Sequence, residues 1–166
     1  MVNAWYKGKE KAIQDVLEKE GVVTLFYFLN GNGFSSLKKQ KYPLENVRDV
    51  LRGIYSESPF VFDDSFLKKV LQKKLTWKLQ LFSPKDYKLR SDTTKLKKGM
   101  YAVLNLSEWN DLWGGSVVFI DQEENHIRIP STANTLTLIK NPKEYYVKYV
   151  NGLAKGKRGF LLGQPI

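Results

Sequence analysis

Cysteine is absent from the 166-residue chain, and histidine occurs once, as His126. Without cysteine the chain can form no disulfide, no thiolate metal site and no cysteine nucleophile. A zinc or iron site that needs two imidazoles cannot form within one chain, and a Ser–His–Asp triad would have to use His126. The absence of cysteine and the single histidine therefore exclude several classes of enzyme before any motif is considered.

Long hydrophobic runs are also missing, because no segment approaches the roughly 18 apolar residues of a membrane span. The longest apolar-rich segment, 21–29, has the length of a strand, and the N-terminus lacks the apolar core of a secretory signal. We therefore expect a cytoplasmic or nuclear protein without membrane attachment. At roughly 100–200 residues per domain, the length predicts a single domain over 1–166.

Positive charge is in excess, since 27 Lys and Arg against 17 Asp and Glu give a formal net charge of +10. Such a chain attracts polyanions such as RNA or ribosomes, although a lysine-rich genome would give the same composition. The densest basic region predicts an RNA-contacting surface formed by Lys69, Lys73, Lys95, Lys97 and Lys98. The alternative is a solvated helix face and a solubilising loop, because no aromatic RNA-recognition signature accompanies these lysines.

The N-terminal part, about 1–74, has the apolar spacing of helices. This spacing predicts helices over 9–20, 35–41 and 45–55, and a further helix from Ser65 onward. Gly21 would end the first helix as a C-terminal cap. The run 22–29 predicts a buried strand that is too apolar for an exposed edge.

After Lys74 the period changes to two, and 75–82 alternates as a half-buried strand does. Further short strands are predicted over 101–106, 116–121, 126–129, 135–139, 145–150 and 159–162. Glycine, proline and asparagine turns separate them. Helices followed by a run of short strands favour a mainly β (α+β) fold, a sandwich or jelly roll buttressed by N-terminal helices.

Motifs in the second half resemble those of a known family. They are Asp86-Tyr87, Leu104-Asn105-Leu106, Trp113-Gly114-Gly115, the run 133–138, and Tyr146-Val147-Lys148-Tyr149-Val150-Asn151 with Arg158. Their order and spacing resemble the C-terminal domain of the ribosomal prolyl hydroxylases, a family of 2-oxoglutarate- and iron-dependent oxygenases. Segments 22–29 and 58–76 extend the resemblance, so it covers most of the chain.

The resemblance implies a double-stranded β-helix, the jelly-roll or cupin-like core of these oxygenases, with its strands over about 75–166. In the family, an N-terminal β-helix holds iron and 2-oxoglutarate, and a C-terminal β-helix serves in dimerisation and partner binding. This chain resembles the second. The resemblance therefore implies a non-catalytic binding or assembly module whose partner is a catalytic oxygenase chain, a ribosomal protein or a translation factor.

Iron sites of this class need a His-x-Asp pair and a distal histidine. The neighbourhood in which the pair would fall, 82–87, contains no imidazole, and Tyr145-Tyr146-Val147 occupies the place of the distal histidine. His126 fits neither position. We therefore expect no catalytic residue, no metal ligand and no cofactor. The alternative is a prolyl hydroxylase component or a divergent dioxygenase, which would need iron and 2-oxoglutarate.

Arg158 is the candidate cofactor-binding residue, because active oxygenases of this type hold the distal carboxylate of 2-oxoglutarate with an arginine on a late strand. A structural arginine that pairs with an acidic side chain, or extends to solvent at the end of the sheet, is the alternative. Trp109 and Trp113 flank the Gly-Gly turn. We expect them to cover the open end of the core, with peptide stacking as the alternative.

Overall fold

The computed structural model describes residues 1–90 and 96–166. In chain order, these ranges form α1 (Glu10–Glu20), β1 (Val22–Leu25), α2 (Gly31–Lys39), β2 (Glu45–Asp49), β3 (Gly53–Phe60), α3 (Ser65–Leu71), β4 (Leu75–Phe82), β5 (Tyr87–Lys88), β6 (Met100–Asn105), β7 (Val117–Ile120), β8 (His126–Arg128), β9 (Leu136–Lys140), β10 (Glu144–Val147) and β11 (Arg158–Pro165). Within them, no helix is long and apolar enough to cross a membrane.

The strands form one curled antiparallel sheet in the order β1-β9-β6-β11-β4-β3-β5-β10-β7-β8, and β2 pairs with β3. From β4 onward the chain alternates between two halves of this sheet: β4, β6, β9 and β11 lie in one half, and β5, β7, β8 and β10 in the other. This is the topology of a double-stranded β-helix, so the predicted jelly-roll fold is confirmed. We refer to the space between the two halves as the barrel interior.

Alternating side chains of the strands pack into two hydrophobic cores. On β4, Trp77 and Leu79 belong to a core shared with the helices, whereas Phe82 belongs to a second core in the barrel interior. On β11, Leu161 and Phe160 divide in the same way. The period-two pattern of the sequence thus directs side chains into two different apolar environments rather than toward a core and solvent.

The first helix and its cap are confirmed. Ile13 and Leu17 form the buried stripe of α1, and Gly21 ends the helix with a φ of 74°. The helix contacts α3 and β1. It therefore buttresses the sheet from the outer side, as the sequence predicts.

The predicted helix over 45–55 is wrong, because this segment forms the hairpin of β2 and β3. The Asp49 carboxylate closes the turn by accepting hydrogen bonds from the backbone N–H groups of Leu51 at 2.7 Å and Arg52 at 3.2 Å. Val50, which contributed to the helical spacing, is 90% exposed at the tip. Apolar residues in a turn imitated the stripe of an amphipathic helix.

The predicted buried strand over 22–29 is shorter than expected and differently placed. Strand β1 ends at Leu25, and Tyr27 adopts a left-handed conformation with a φ of 51°. The strand lies at an edge of the sheet and pairs with β9. Contact with α1 covers one face of β1, which explains how an apolar segment is tolerated at an edge.

Candidate functional site

Arg158 begins β11 opposite Phe82 of β4, and its side chain is fully buried. Its Nη2 donates to Asn105 Oδ1 at 2.5 Å, and its Nη1 donates to Ser107 Oγ at 3.5 Å. The Asn105 amide is held in this orientation because its Nδ2 donates to the carbonyl of Pro130 at 2.5 Å. Within the described residues, Arg158 Nε has no hydrogen-bond partner.

The setting of Arg158 matches neither of the two forms of the structural alternative, which were pairing with an acidic side chain and extension to solvent. Its hydrogen-bond acceptors, Asn105 and Ser107, are uncharged, and the side chain does not extend to solvent. Burial lowers the pKa of Arg158 to about 10, and the carboxylate of Asp111 opposes this shift. A buried guanidinium without a paired anion carries an uncompensated desolvation cost. The donor set is therefore compatible with a carboxylate ligand.

Segment 82–87 forms the connection between β4 and β5. The Asp86 carboxylate accepts a hydrogen bond from the backbone N–H of Ser83 at 2.8 Å and closes this turn. The backbone of the same turn pairs with Val150, whose N–H donates to the Asp86 carbonyl at 2.9 Å. Asp86 thus has a structural role in the turn.

The Tyr145-Tyr146 pair presents its two side chains to opposite faces of β10. Tyr145 points into the barrel interior, where its ring stacks 5.1 Å from Phe119. Tyr146 points outward, and its hydroxyl lies 3.2 Å from His126 Nδ1. His126 is exposed on the edge strand β8. The one imidazole of the chain is therefore outside the barrel interior.

These residues do not fit an iron site that is built from a His-x-Asp pair and a distal histidine. In 1–90 and 96–166, no three His, Asp or Glu side chains are grouped so that they could hold a metal ion. The composition excludes a metal site with two imidazole ligands from one chain, since His126 is the single histidine. The 2-oxoglutarate group is a different case, because Arg158 offers the guanidinium that a distal carboxylate would need.

Trp109 and Trp113 pack edge to face with their ring centroids 5.3 Å apart, and both lie against the core of the barrel interior. Trp109 Nε1 donates to the carbonyl of Gly114 at 2.8 Å and so braces the Gly-Gly turn. Both side chains are partly buried. The two rings therefore pack on the core of the barrel interior, and peptide stacking on their exposed parts stays a prediction.

The structure separates Lys69 from Lys73. Helix α3 ends at Leu71, and Gln72 takes a left-handed conformation with a φ of 54°. Lys73 therefore lies beyond the helix that carries Lys69. Lys97 and Lys98 are exposed in the turn before β6. Lys95 lies outside the described residues.

Lys69 instead lies beside the N-terminal segment, where it lines a surface pocket together with Lys7, Glu10 and Asp63. Two hydrogen bonds join the N-terminal segment to the backbone of 26–27: Tyr6 Oη donates to the carbonyl of Phe26, and Asn3 Nδ2 to that of Tyr27. We call this region the N-terminal patch, formed by Trp5, Lys7, Lys9, Phe26, Tyr27 and Lys69. Trp5 is 70% exposed and Tyr27 is 69% exposed.

Sequence reasoning missed a polar cluster in the barrel interior. It surrounds Lys88 of β5, and we call it the Lys88 cluster; its other members are Arg52, Tyr55, Glu57, Lys78, Gln80 and Tyr145. A signal for it exists in β4, where Lys78 and Gln80 alternate with Leu75, Trp77 and Leu79. Such polar positions are normally assigned to solvent, and here they face the other half of the sheet.

No family model and no curated protein match the chain. Solved structures match it in fold. A prolyl-4-hydroxylase from Pseudomonas putida has a TM-score of 0.71 at 14% identity, with 95% of this chain and 98% of that chain covered. A 2OG-Fe(II) oxygenase family oxidoreductase from Burkholderia pseudomallei has a TM-score of 0.69 at 12% identity, with 99% and 91% covered.

A third match is a prolyl hydroxylase from Trichoplax adhaerens, solved in complex with a hypoxia inducible factor oxygen degradation domain peptide fragment. Its TM-score is 0.71 at 13% identity, with 98% of this chain and 93% of that chain covered. The chain has the fold of the prolyl-4-hydroxylase-like 2-oxoglutarate oxygenases. At these identities the matches concern the fold alone. The finer resemblance to the C-terminal domain of ribosomal prolyl hydroxylases stays a prediction.

Proposed function

We propose that this chain is a non-catalytic, oxygenase-like module that binds or assembles with a protein partner. One observation carries the proposal: the chain has an oxygenase fold, but its single imidazole lies on the outer face. His126 is exposed on β8 and contacts Tyr146, and the interior-facing residue of the same pair of strands is an aromatic one, Tyr145. A two-histidine iron site has no donors here.

Packing of the barrel interior supports a binding role without chemistry. The rings of Tyr55 and Phe82 stack with centroids 5.2 Å apart, and those of Phe82 and Phe160 with centroids 5.8 Å apart. Aromatic contacts of this kind stabilise the fold beyond the burial of their area. We infer that the part of the barrel interior around Phe82 and Phe160 serves the stability of the fold rather than a reactive centre.

The sequence resemblance supports the choice of partner class, and its most specific element is Val147-Lys148-Tyr149-Val150 followed by Arg158. We propose a catalytic oxygenase chain, a ribosomal protein or a translation factor as the partner. Trp109 and Trp113 offer partly exposed aromatic surface at one end of the barrel, and aromatic side chains are enriched at protein interfaces.

An anaerobic titration of the purified protein with Fe(II) and 2-oxoglutarate tests the absence of catalysis. We expect no charge-transfer absorption and no stoichiometric iron after desalting. One tightly bound iron per chain would contradict the proposal and favour the alternative, a prolyl hydroxylase component or a divergent dioxygenase.

Affinity purification of the tagged chain from its native cells, followed by mass spectrometry, tests the assembly role. We expect a stoichiometric catalytic oxygenase chain or a component of the translation machinery, and we expect nuclease treatment to leave it bound. Recovery of the chain alone would contradict this role.

RNA binding is a second candidate function, and the N-terminal patch favours it. Aromatic faces stack on bases, and neighbouring lysines neutralise phosphates. Lys9 Nζ lies 3.5 Å from the centroid of the Trp5 ring, so charge and aromatic surface are directly adjacent. The net charge of +10 acts in the same direction.

A further inference from the structure

We propose that the Lys88 cluster binds a small molecule through an oxyanion group, a carboxylate or a phosphate. The site is distinct from Arg158, which lies on β11 and donates to Asn105 and Ser107. The inference does not depend on whether the chain binds a protein partner, because it rests on charges and contacts within the barrel interior.

The position of Lys88 is the first reason. Its Nζ lies 5.0 Å from the ring centroid of Tyr145 and 5.4 Å from that of Tyr55. Two aromatic faces therefore form its surroundings. Cation–π contacts offset part of the cost of burying an ammonium group, but they leave its N–H donors available to an oxygen acceptor.

The balance of charge in the cluster is the second reason. Three cations, Arg52, Lys78 and Lys88, lie around the Glu57 carboxylate, and the Asp49 carboxylate lies close enough to act on Tyr55. Glu57 Oε1 already accepts from Arg52 Nη2 at 3.3 Å and from Lys78 Nζ at 3.5 Å. Glu57 Oε2 accepts from Gln80 Nε2 at 3.2 Å. The cluster thus has a net positive charge in a partly desolvated setting. A bound anion would offset the free-energy cost of this charge.

Access to solvent is the third reason. The side chains of Arg52 and Lys78 are 47% and 42% exposed, whereas Tyr145 and Gln80 are buried. The cluster therefore runs from the solvent boundary to the barrel interior. A ligand entering past Arg52 and Lys78 would reach Lys88 with its anionic group.

The buried end of the cluster is already organised for such a ligand. The Tyr145 hydroxyl donates to Gln80 Oε1 at 3.2 Å, and Gln80 in turn is bound to Glu57. The Tyr55 hydroxyl accepts from Arg52 Nη2 at 3.3 Å. Because these side chains are mutually fixed, little conformational entropy remains to be lost when a ligand binds. Both tyrosine rings are buried, so the ligand would contact the cluster through Lys88 and the more exposed Arg52 and Lys78.

Thermal unfolding at constant ionic strength tests the proposal, with succinate and inorganic phosphate as separate probes and chloride as the ionic control. We expect a rise in Tm of about 2–4 °C once at least one probe exceeds its Kd several-fold. The probe that acts identifies the source of the oxyanion. No shift with either probe would overturn the proposal.

Two variants assign the effect to the site. Lys88→Met should abolish the shift, and Lys78→Met, at the more exposed position, should weaken the affinity about tenfold. Lys155→Met, at an exposed position in the loop before β11, is the matched control and should keep the shift. An undiminished shift in Lys88→Met would overturn the proposal, and Lys78→Met gives an independent readout if Lys88→Met fails to fold.

Discussion

Arg158 is buried in the barrel interior and Lys88 is partly buried there, and different neighbours offset the desolvation cost of each. Arg158 donates to an amide oxygen and a hydroxyl, from Asn105 and Ser107. Lys88 lies over the rings of Tyr55 and Tyr145. Hydrogen bonds and aromatic faces compensate for a charge less completely than a carboxylate does. Substitution of either residue should therefore change the free energy of unfolding.

Arg158→Ala should lower the free energy of unfolding by roughly 1–3 kcal/mol, because a cavity forms and Asn105 Oδ1 loses its donor. Arg158→Met keeps most of the volume and removes the buried charge, so it should recover at least half of this loss. Lys157→Ala, at the exposed neighbouring position, is the control. Urea denaturation measures all three. We expect 2-oxoglutarate to leave the wild-type Tm unchanged, and a rise that Arg158→Ala lacks would contradict a purely structural role.

Lys88 should make stability depend on pH. Burial, with Arg52 next in effect, lowers the pKa of Lys88 below its ordinary value of 10.5. The unfolded chain therefore holds this proton more tightly than the folded protein, and protonation of Lys88 destabilises the fold at neutral pH. That cost disappears as the pH rises from the lowered pKa toward 10.5.

Comparison of wild type with Lys88→Met isolates this titration, since the other groups titrate in both proteins. The stability of the wild type relative to the variant should increase as the pH rises toward 10.5, as measured by urea denaturation. Lys155→Met should show no such trend relative to wild type. A difference between wild type and Lys88→Met that stays constant with pH would contradict a lowered pKa.

At the scale of elements, the turn before β7 depends on close backbone approach. Gly114 has a φ of 74°, and a Cβ atom there would lie 2.2 Å from the backbone oxygen of Tyr149. The same carbonyl accepts from the N–H of Gly115 at 3.2 Å. A side chain at Gly114 is therefore disfavoured both by the positive φ and by the close contact with the backbone of Tyr149.

Gly114→Ala and Gly156→Ala form a matched pair. Gly156 also has a positive φ, 90°, but a Cβ atom there meets nothing within 4 Å. Gly156→Ala should cost about 1 kcal/mol for its backbone conformation. Gly114→Ala should cost roughly 2 kcal/mol more, because the backbone must move away from Tyr149 and weaken a hydrogen bond. Equal losses of unfolding free energy in urea denaturation would show that the backbone moves away from Tyr149 at little cost.

The strands after Lys74 could be predicted because their apolar alternation is regular and glycine or proline turns separate them. The β2–β3 hairpin could not, since Val50 and Leu51 occur in its exposed turn and complete a helical spacing. Arg158 could be singled out by resemblance, but its uncharged partners could not. They come from β6 and the loop after it, and only the fold brings them near β11.

The Lys88 cluster escaped sequence reasoning for a similar reason. Its members come from the β2–β3 turn, β3, β4, β5 and β10, and they are far apart in sequence. Polar residues in an alternating strand are typical of a solvent-facing side. Curling of the sheet turns that side of β4 toward the opposite half, so burial of Gln80 is a property of the closed fold rather than of the strand.

At the scale of the whole molecule, the net charge of +10 and the N-terminal patch predict salt-dependent binding of single-stranded RNA. The three patch lysines should give a slope of about −2 in a plot of log affinity against log salt. Fluorescence anisotropy with a labelled oligouridine measures this slope. A Trp5→Ala, Tyr27→Ala double variant should lose affinity about tenfold or more through lost base stacking.

Tyr149→Ala is the control for this experiment, because Tyr149 is an exposed tyrosine outside the N-terminal patch. It should bind RNA as the wild type does. Equal losses in the control and in the double variant would assign RNA binding to charge alone. Binding that does not change with salt would contradict the RNA hypothesis.

Strand β11 pairs with β4 along its whole length and with β6 on its other side, although β4 and β6 precede it in the chain by many residues. The middle of this half of the sheet is therefore translated after the strands on either side of it. Long-range pairing of this kind slows folding to about milliseconds or longer. Until β11 arrives, β4 and β6 carry unpaired edges that can pair with other nascent chains. The risk of aggregation is thus concentrated in the interval before Arg158–Pro165 leaves the ribosome and docks.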